Sequence, residues 1–133
     1  MATVLFVDEE ELRMGPFVET LREAGYTVIV ATDASSAVTL AKEHAGEIDV
    51  VVMDLMMPGG KDAPADLDPR RAGLWAIEKI RKIGKLKNIP VIMLSAVSQR
   101  RVEARQDELK WVQYLEKPVD LDEFVAVVAK HAQ

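Results

Sequence analysis

Cysteine is absent from the 133-residue chain, which excludes disulfides, thiolate metal sites and cysteine nucleophiles. That composition suits a reducing cytoplasm. Histidine is nearly absent too. His44 and His131 stand far apart, each in a helix-like tail, so neither a histidine metal cluster nor a Ser-His-Asp triad is supported. Helix-dipole reasoning places both at helix C-termini, facing solvent. No apolar run approaches the roughly 18 residues of a membrane span, and no basic segment with a long apolar stretch behind it opens the chain. The expectation is a soluble, cytoplasmic protein with no membrane partner. Excess positive charge is also missing. With 17 basic against 22 acidic residues the formal net charge is −5, which opposes direct binding to the phosphate backbone of nucleic acid.

What is present is a hydrophobic content of 49%, enough to fill one core, and a length that fits a single domain, 1–133. Apolar runs and helical patterns alternate along it. Thr3-Val4-Leu5-Phe6-Val7 reads as a first strand, after which Leu12, Phe17, Val18 and Leu21 recur at helical spacing up to Gly25. Gly15-Pro16 interrupts that pattern, and an interior proline predicts a kink or a late helix start. Residues 26–31 form a second strand, followed by a helix capped at Asp33 and ending near His44. Val50-Val51-Val52-Met53 reads as a strand buried on both faces, and it ends at Asp54. Leu74, Ile77, Ile80 and Ile83 mark a third helix closing at Gly84. Residues 90–94 form a fourth strand ending at Ser95-Ala96, and residues 99–110 a weakly amphipathic fourth helix with Val102 and Leu109 as its apolar members. A short fifth strand, 112–115, ends at Glu116-Lys117-Pro118. Asp120 and Glu123 form a capping box for the last helix, whose apolar face holds Leu121, Phe124, Val125 and Val128. Five such alternations predict an α/β, doubly wound parallel sheet of five strands with five helices, flavodoxin-like, in the common order 2-1-3-4-5.

That order sets the carboxyl ends of the first and third strands side by side, so Asp8, Glu9 and Asp54 converge on one cleft. Two carboxylates ~4 Å apart repel by about 4 kcal/mol at an effective dielectric of about 20, so the cluster needs a cation. Magnesium suits hard oxygen ligands and keeps several waters, so two carboxylates and a backbone carbonyl suffice. Glu10 and Glu11 read instead as complements to a helix N-terminus. Ser95 and Lys117 add a hydroxyl and an ammonium from the next two strand ends. Each residue alone has an ordinary reading: Asp54 as a cap or turn aspartate, Ser95 as a turn residue, Lys117 as a surface lysine. Together they make a phosphoryl-transfer set in which Asp54 is the nucleophile and the cations spread the charge of a metaphosphate-like transition state.

Val7-Asp8-Glu9, Asp54-Leu55-Met56-Met57-Pro58, Ser95-Ala96 and Lys117-Pro118, with Tyr114 three residues before the lysine, resemble the receiver domain of bacterial two-component response regulators, essentially end to end. The resemblance implies a signalling phosphoprotein rather than an enzyme. A stand-alone receiver would take a phosphoryl group from a histidine kinase or phosphotransfer protein onto Asp54 as an aspartyl phosphate, catalysing only its own phosphorylation and dephosphorylation. By the same resemblance, Glu9, Asp54 and the Met56 carbonyl bind magnesium, with Asp8 assisting through water. Ser95 and Lys117 contact the phosphoryl oxygens, and the Lys117-Pro118 bond is cis. Tyr114 shifts as Ser95 moves, altering the face offered to a downstream protein partner. A monomer or weak dimer is expected. Rival readings are a phosphorelay carrier and a haloacid-dehalogenase-like phosphatase, which needs a second carboxylate where Met56 stands. A flavodoxin-type cofactor binder would need a glycine- and hydroxyl-rich loop in place of Asp8-Glu9-Glu10-Glu11.

The chain also departs from the family pattern. Glu9 is one methylene longer than the aspartate often found there. Residues 59–72 form an insertion between strand three and helix three, either a solvated loop or a donor-selecting lid over the cleft. Lys110-Trp111 replaces the usual Gly-Ala, which predicts a rearranged end to the fourth helix, with Trp111 in the core or at a partner contact. Met56 and Val97 are apolar at positions that influence the attacking water, which predicts slow self-dephosphorylation.

Overall fold

Strands made almost wholly of apolar residues must be covered on both faces. In the structure, a computed structural model that describes residues 2–132, helices supply that cover. The side chains of residues 11–13 lie outside the described residues, and with them the expected roles of Glu11 and Leu12. The elements run β1 (Thr3–Val7), α1 (Glu11–Glu23), β2 (Thr27–Ala31), α2 (Ala34–Glu43), β3 (Val50–Met53), α3 (Ala72–Arg81), β4 (Val91–Ser95), α4 (Gln106–Leu109), β5 (Gln113–Glu116) and α5 (Leu121–His131). All strand pairs are parallel, in the order β2-β1-β3-β4-β5.

Alternate residues of each central strand feed two cores. Leu5, Val7, Val51, Met53, Val91 and Met93 pack with α2 and α3, and Val4, Phe6, Val50, Val52, Ile92 and Leu94 pack with α1 and α5. Phe6, Phe17 and Phe124 bind the second layer together, with ring centroids 5.0–6.3 Å apart. Burying each aromatic contributes about 1.5–3 kcal/mol, so this cluster fixes how α1 and α5 lie over β1.

Several local expectations need correction. The first helix starts at Glu11 and continues through Gly15 and Pro16, so the late start does not occur. Thr20 donates its hydroxyl to the Pro16 carbonyl at 2.7 Å. The third helix ends at Arg81, and Ile83 falls in the turn before a short 3-10 segment. The strand placed at 112–115 occupies Gln113–Glu116, and Val112, 46% exposed, precedes it. The largest revision concerns residues 99–110. Two separate 3-10 turns precede α4, which is a single turn. Lys110 then adopts a left-handed conformation, φ 58°, which a side chain-bearing residue enters at a cost of roughly 1–2 kcal/mol. Trp111 explains the arrangement: it is 3% exposed and packs against Tyr114 with centroids 6.1 Å apart, so its bulk is core filling. Arg81 clamps the segment by donating to the carbonyls of Leu109 and Lys110, each at 3.1 Å, and to Ile89. Burial pushes its pKa down.

His44 caps the C-terminus of α2 and meets Glu47 at 3.2 Å. His131 corrects the solvent-facing expectation, since it is half-buried and its Nε2 is enclosed with no hydrogen-bond partner among the described residues. No helix among the described residues is long and apolar enough to cross a membrane.

Candidate functional site

The strand ends carry the chemistry because each is held on the sheet one residue past its strand. The Asp54 amide donates to the Val7 carbonyl at 3.0 Å, the Asp8 amide to Ala31 at 3.1 Å, and the Lys117 amide to Ser95 at 2.8 Å. Backbone positions fixed this way leave the side chains few places to go. Lys117 Nζ donates to Asp8 Oδ2 at 2.8 Å and to Asp54 Oδ2 at 3.1 Å, bridging the two carboxylates. The remaining oxygens turn back on their own chain: Asp8 Oδ1 accepts from the Glu10 amide at 3.0 Å and Asp54 Oδ1 from the Met56 amide at 3.3 Å.

Both carboxylates are nearly enclosed, with side chains 3% and 10% exposed for Asp8 and Asp54. Burial disfavours the charge on Lys117, yet Asp8 and Asp54 outweigh it and hold the ammonium above the usual lysine range. The cation that the paired acids require is therefore in part the chain's own lysine. Lys117-Pro118 is cis.

Not every expected member joins. Ser95 is fully buried at the end of β4, but its Oγ accepts from the Val97 amide at 3.2 Å and makes no hydrogen bond to Asp54 or Lys117. Tyr114 donates its hydroxyl to the Val97 carbonyl at 2.6 Å. Burial chiefly pushes this phenol up to about 12, against an opposing effect of Ser95. Glu9 is exposed, as is Met56 at 43%. Among the described residues no group of three or more His, Asp or Glu side chains is gathered as a metal site. The donors that are together, Asp8 and Asp54, are hard oxygens in a nearly closed recess, which fits a small divalent cation.

Gly73, at the start of α3, was not marked as part of the site by its chemistry. Its amide donates to the Leu55 carbonyl at 2.9 Å, and a Cβ there would overlap the Asp54 carbonyl oxygen and sit 2.8 Å from the Leu55 Cα. Only glycine allows α3 this close to the acceptor strand. The insertion fastens elsewhere. Ser35 of α2 donates its amide to Gly59 at 2.7 Å, and its hydroxyl accepts from the Asp62 amide at 2.9 Å. At its far end the Pro69 carbonyl accepts from the Met57 amide at 3.1 Å, so the insertion is tied to the start of α2 and to the loop after Asp54, while it makes no hydrogen bond to the side chains of Asp54 or Lys117.

A family model for the response regulator receiver domain matches residues 4–129. The chain belongs to the response regulator receiver family. As a receiver domain it is a component of signalling response regulators, not a classical enzyme. It is 25% identical to the polar-differentiation response regulator DivK of Brucella anthropi, over 97% of this chain and 94% of DivK. It is 31% identical to the transcriptional regulatory protein PdtaR of Mycobacterium tuberculosis, over 94% of this chain but 54% of PdtaR, so it spans about half of that relative. The chemotaxis protein CheY4 of Vibrio cholerae superposes with a TM-score of 0.81 over 98% of both chains at 23% identity, which shows the shared receiver fold.

Proposed function

We propose that this receiver domain accepts a phosphoryl group on Asp54 from the phosphohistidine of a histidine kinase or phosphotransfer protein, and that the modification switches binding of a downstream protein partner. An Asp54 carboxylate oxygen attacks phosphorus, the P–N bond to the donor histidine breaks, and the leaving imidazole takes a proton. The observation that carries the reading is the bridging of Asp8 and Asp54 by Lys117, which leaves an ammonium beside the oxygen that would be phosphorylated. Lys117 then offsets charge on the phosphoryl oxygens. Ser95 joins it by exchanging its bond to the Val97 amide for one to the phosphoryl group, and Tyr114, tied to Val97, follows. Magnesium would be held by Glu9, Asp54 and the Met56 carbonyl, with Asp8 acting through water. Bound there, the metal supplies further neutralisation of the transferring group. A cytoplasmic setting, where such donors act, belongs to the same reading.

Intact mass after incubation with magnesium and a small acyl phosphate tests it. The native chain is expected to gain one phosphoryl group and Asp54→Asn none. Equal gain by both, or none by either, refutes the assignment.

A further inference from the structure

Two turns far apart in sequence repeat one pattern. In Asp68-Pro69-Arg70-Arg71 the Asp68 carboxylate accepts from the Arg70 amide at 2.9 Å, and the Arg71 amide returns to the Asp68 carbonyl at 2.9 Å. In Ser98-Gln99-Arg100-Arg101 the Ser98 hydroxyl accepts from the Arg100 amide at 3.4 Å, and the Arg101 amide returns to the Ser98 carbonyl at 3.1 Å. Each is one 3-10 turn, capped by its first residue and ending in two arginines. The first lies in the insertion and the second follows Ser95, yet Arg70, Arg71 and Arg101 line the same cleft of about 140 Å3, together with Asp68, Val97 and Val102.

This concentration of guanidinium groups runs against the charge of a chain that carries −5 overall. All four arginines are exposed. Arg70 is partly neutralised by a two-pronged contact with Asp68, at 3.1 and 3.0 Å. Among the described residues, Arg71, Arg100 and Arg101 form no salt bridge. Fixing like charges on rigid turns costs repulsion, which an anionic partner would relieve. Guanidinium forks pair in plane with carboxylates, and two such turns across a cleft suit a segment bearing several of them. Val97 and Val102 give the cleft an apolar floor that takes the aliphatic part of a glutamate.

We propose that the two Arg-Arg turns form a docking site for an acidic segment of a protein partner. The insertion then has a role as one jaw of this site, which is already formed in the unphosphorylated chain. The site also touches the switch, because Val97 in its floor is the residue that holds both Ser95 Oγ and the Tyr114 hydroxyl.

Fluorescence anisotropy of a labelled hexaglutamate peptide, titrated with unphosphorylated protein at ~0.15 M salt where exposed charges are screened beyond ~8 Å, tests this. Saturable binding is expected, weakened at least about tenfold by Arg71→Gln with Arg101→Gln. The pair Lys42→Gln with Lys130→Gln, exposed lysines on α2 and α5, is expected to bind as the native chain does. Absence of saturable binding, or an equal loss in the lysine pair, overturns the proposal. So does displacement of the peptide by millimolar inorganic phosphate, which would mark a small-anion pocket instead. Because the assay uses unphosphorylated protein and the mass measurement uses no peptide, either reading can fail without the other.

Discussion

Tyr114 and Val97 are joined by a short hydrogen bond, the phenol donating to the backbone carbonyl at 2.6 Å. Since the Val97 amide is bonded to Ser95 Oγ at 3.2 Å, one residue's backbone connects the hydroxyl beside the acceptor strand to the aromatic ring at the sheet edge. Movement of Ser95 therefore has a short mechanical route to Tyr114.

Replacing Tyr114 by Phe keeps the ring against Trp111 but leaves the Val97 carbonyl without this donor. The expected loss is about 1 kcal/mol, read from the urea midpoint. The alkaline limb gives a second check. The phenol is pushed up from 10.0 to about 12 in the folded chain, so the unfolded state releases its proton first. This stabilisation is complete below pH ~10 and is lost as pH rises toward ~12. The native chain should lose stability more steeply across that window than Tyr114→Phe, and parallel curves would contradict the assignment.

Gly73→Ala should be disproportionately costly for so small a change. A methyl group at this position overlaps the Asp54 carbonyl, so either α3 or the acceptor strand must shift. We expect a loss of roughly 1–3 kcal/mol with reduced phosphoryl uptake. Gly84→Ala, where a Cβ meets nothing within 4 Å, serves as the comparison and should leave uptake intact.

Lys117→Ala removes the shared donor from Asp8 Oδ2 and Asp54 Oδ2. Loss of one preorganised charge at a developing anion typically costs about 10²–10³ in rate. Time-resolved intact mass with an acyl phosphate should show uptake slowed by that order. A native rate would remove Lys117 from the proposed chemistry.

The phosphorylated chain is expected to lose its label over minutes or longer, because neither Met56 nor Val97 offers a side chain that can orient a water. Met56 is exposed beside the site, so Met56→Asn can supply an amide at little structural cost and should shorten the lifetime several-fold. A native half-life of seconds would count against this account.

The sheet was legible because strands such as Val50–Met53 are apolar throughout, and only a doubly covered parallel sheet accommodates several of these. Strand order alone put Asp8, Glu9 and Asp54 at one cleft with Lys117 at a neighbouring strand end; the structure joins Asp8, Asp54 and Lys117 and leaves Glu9 exposed. Which oxygen bonds which donor did not. Ser95 turns to the amide two residues on, a local competition between backbone and side chain that composition does not announce. The broken fourth helix is not legible in the sequence because its polar residues carry little periodicity, and the left-handed Lys110 that ends it is not a residue type that signals such a turn. The paired arginine turns were invisible for another reason: each is ordinary by itself, and only the fold sets them across a cleft.

Between β4 and β5 the chain is held by a succession of separate turns, so no long cooperative unit has to melt before the segment can be reshaped. Adjustments can be made one bond at a time. A disturbance arriving at Val97 can thus travel toward Trp111 in small instalments while the five-stranded platform beneath keeps its register.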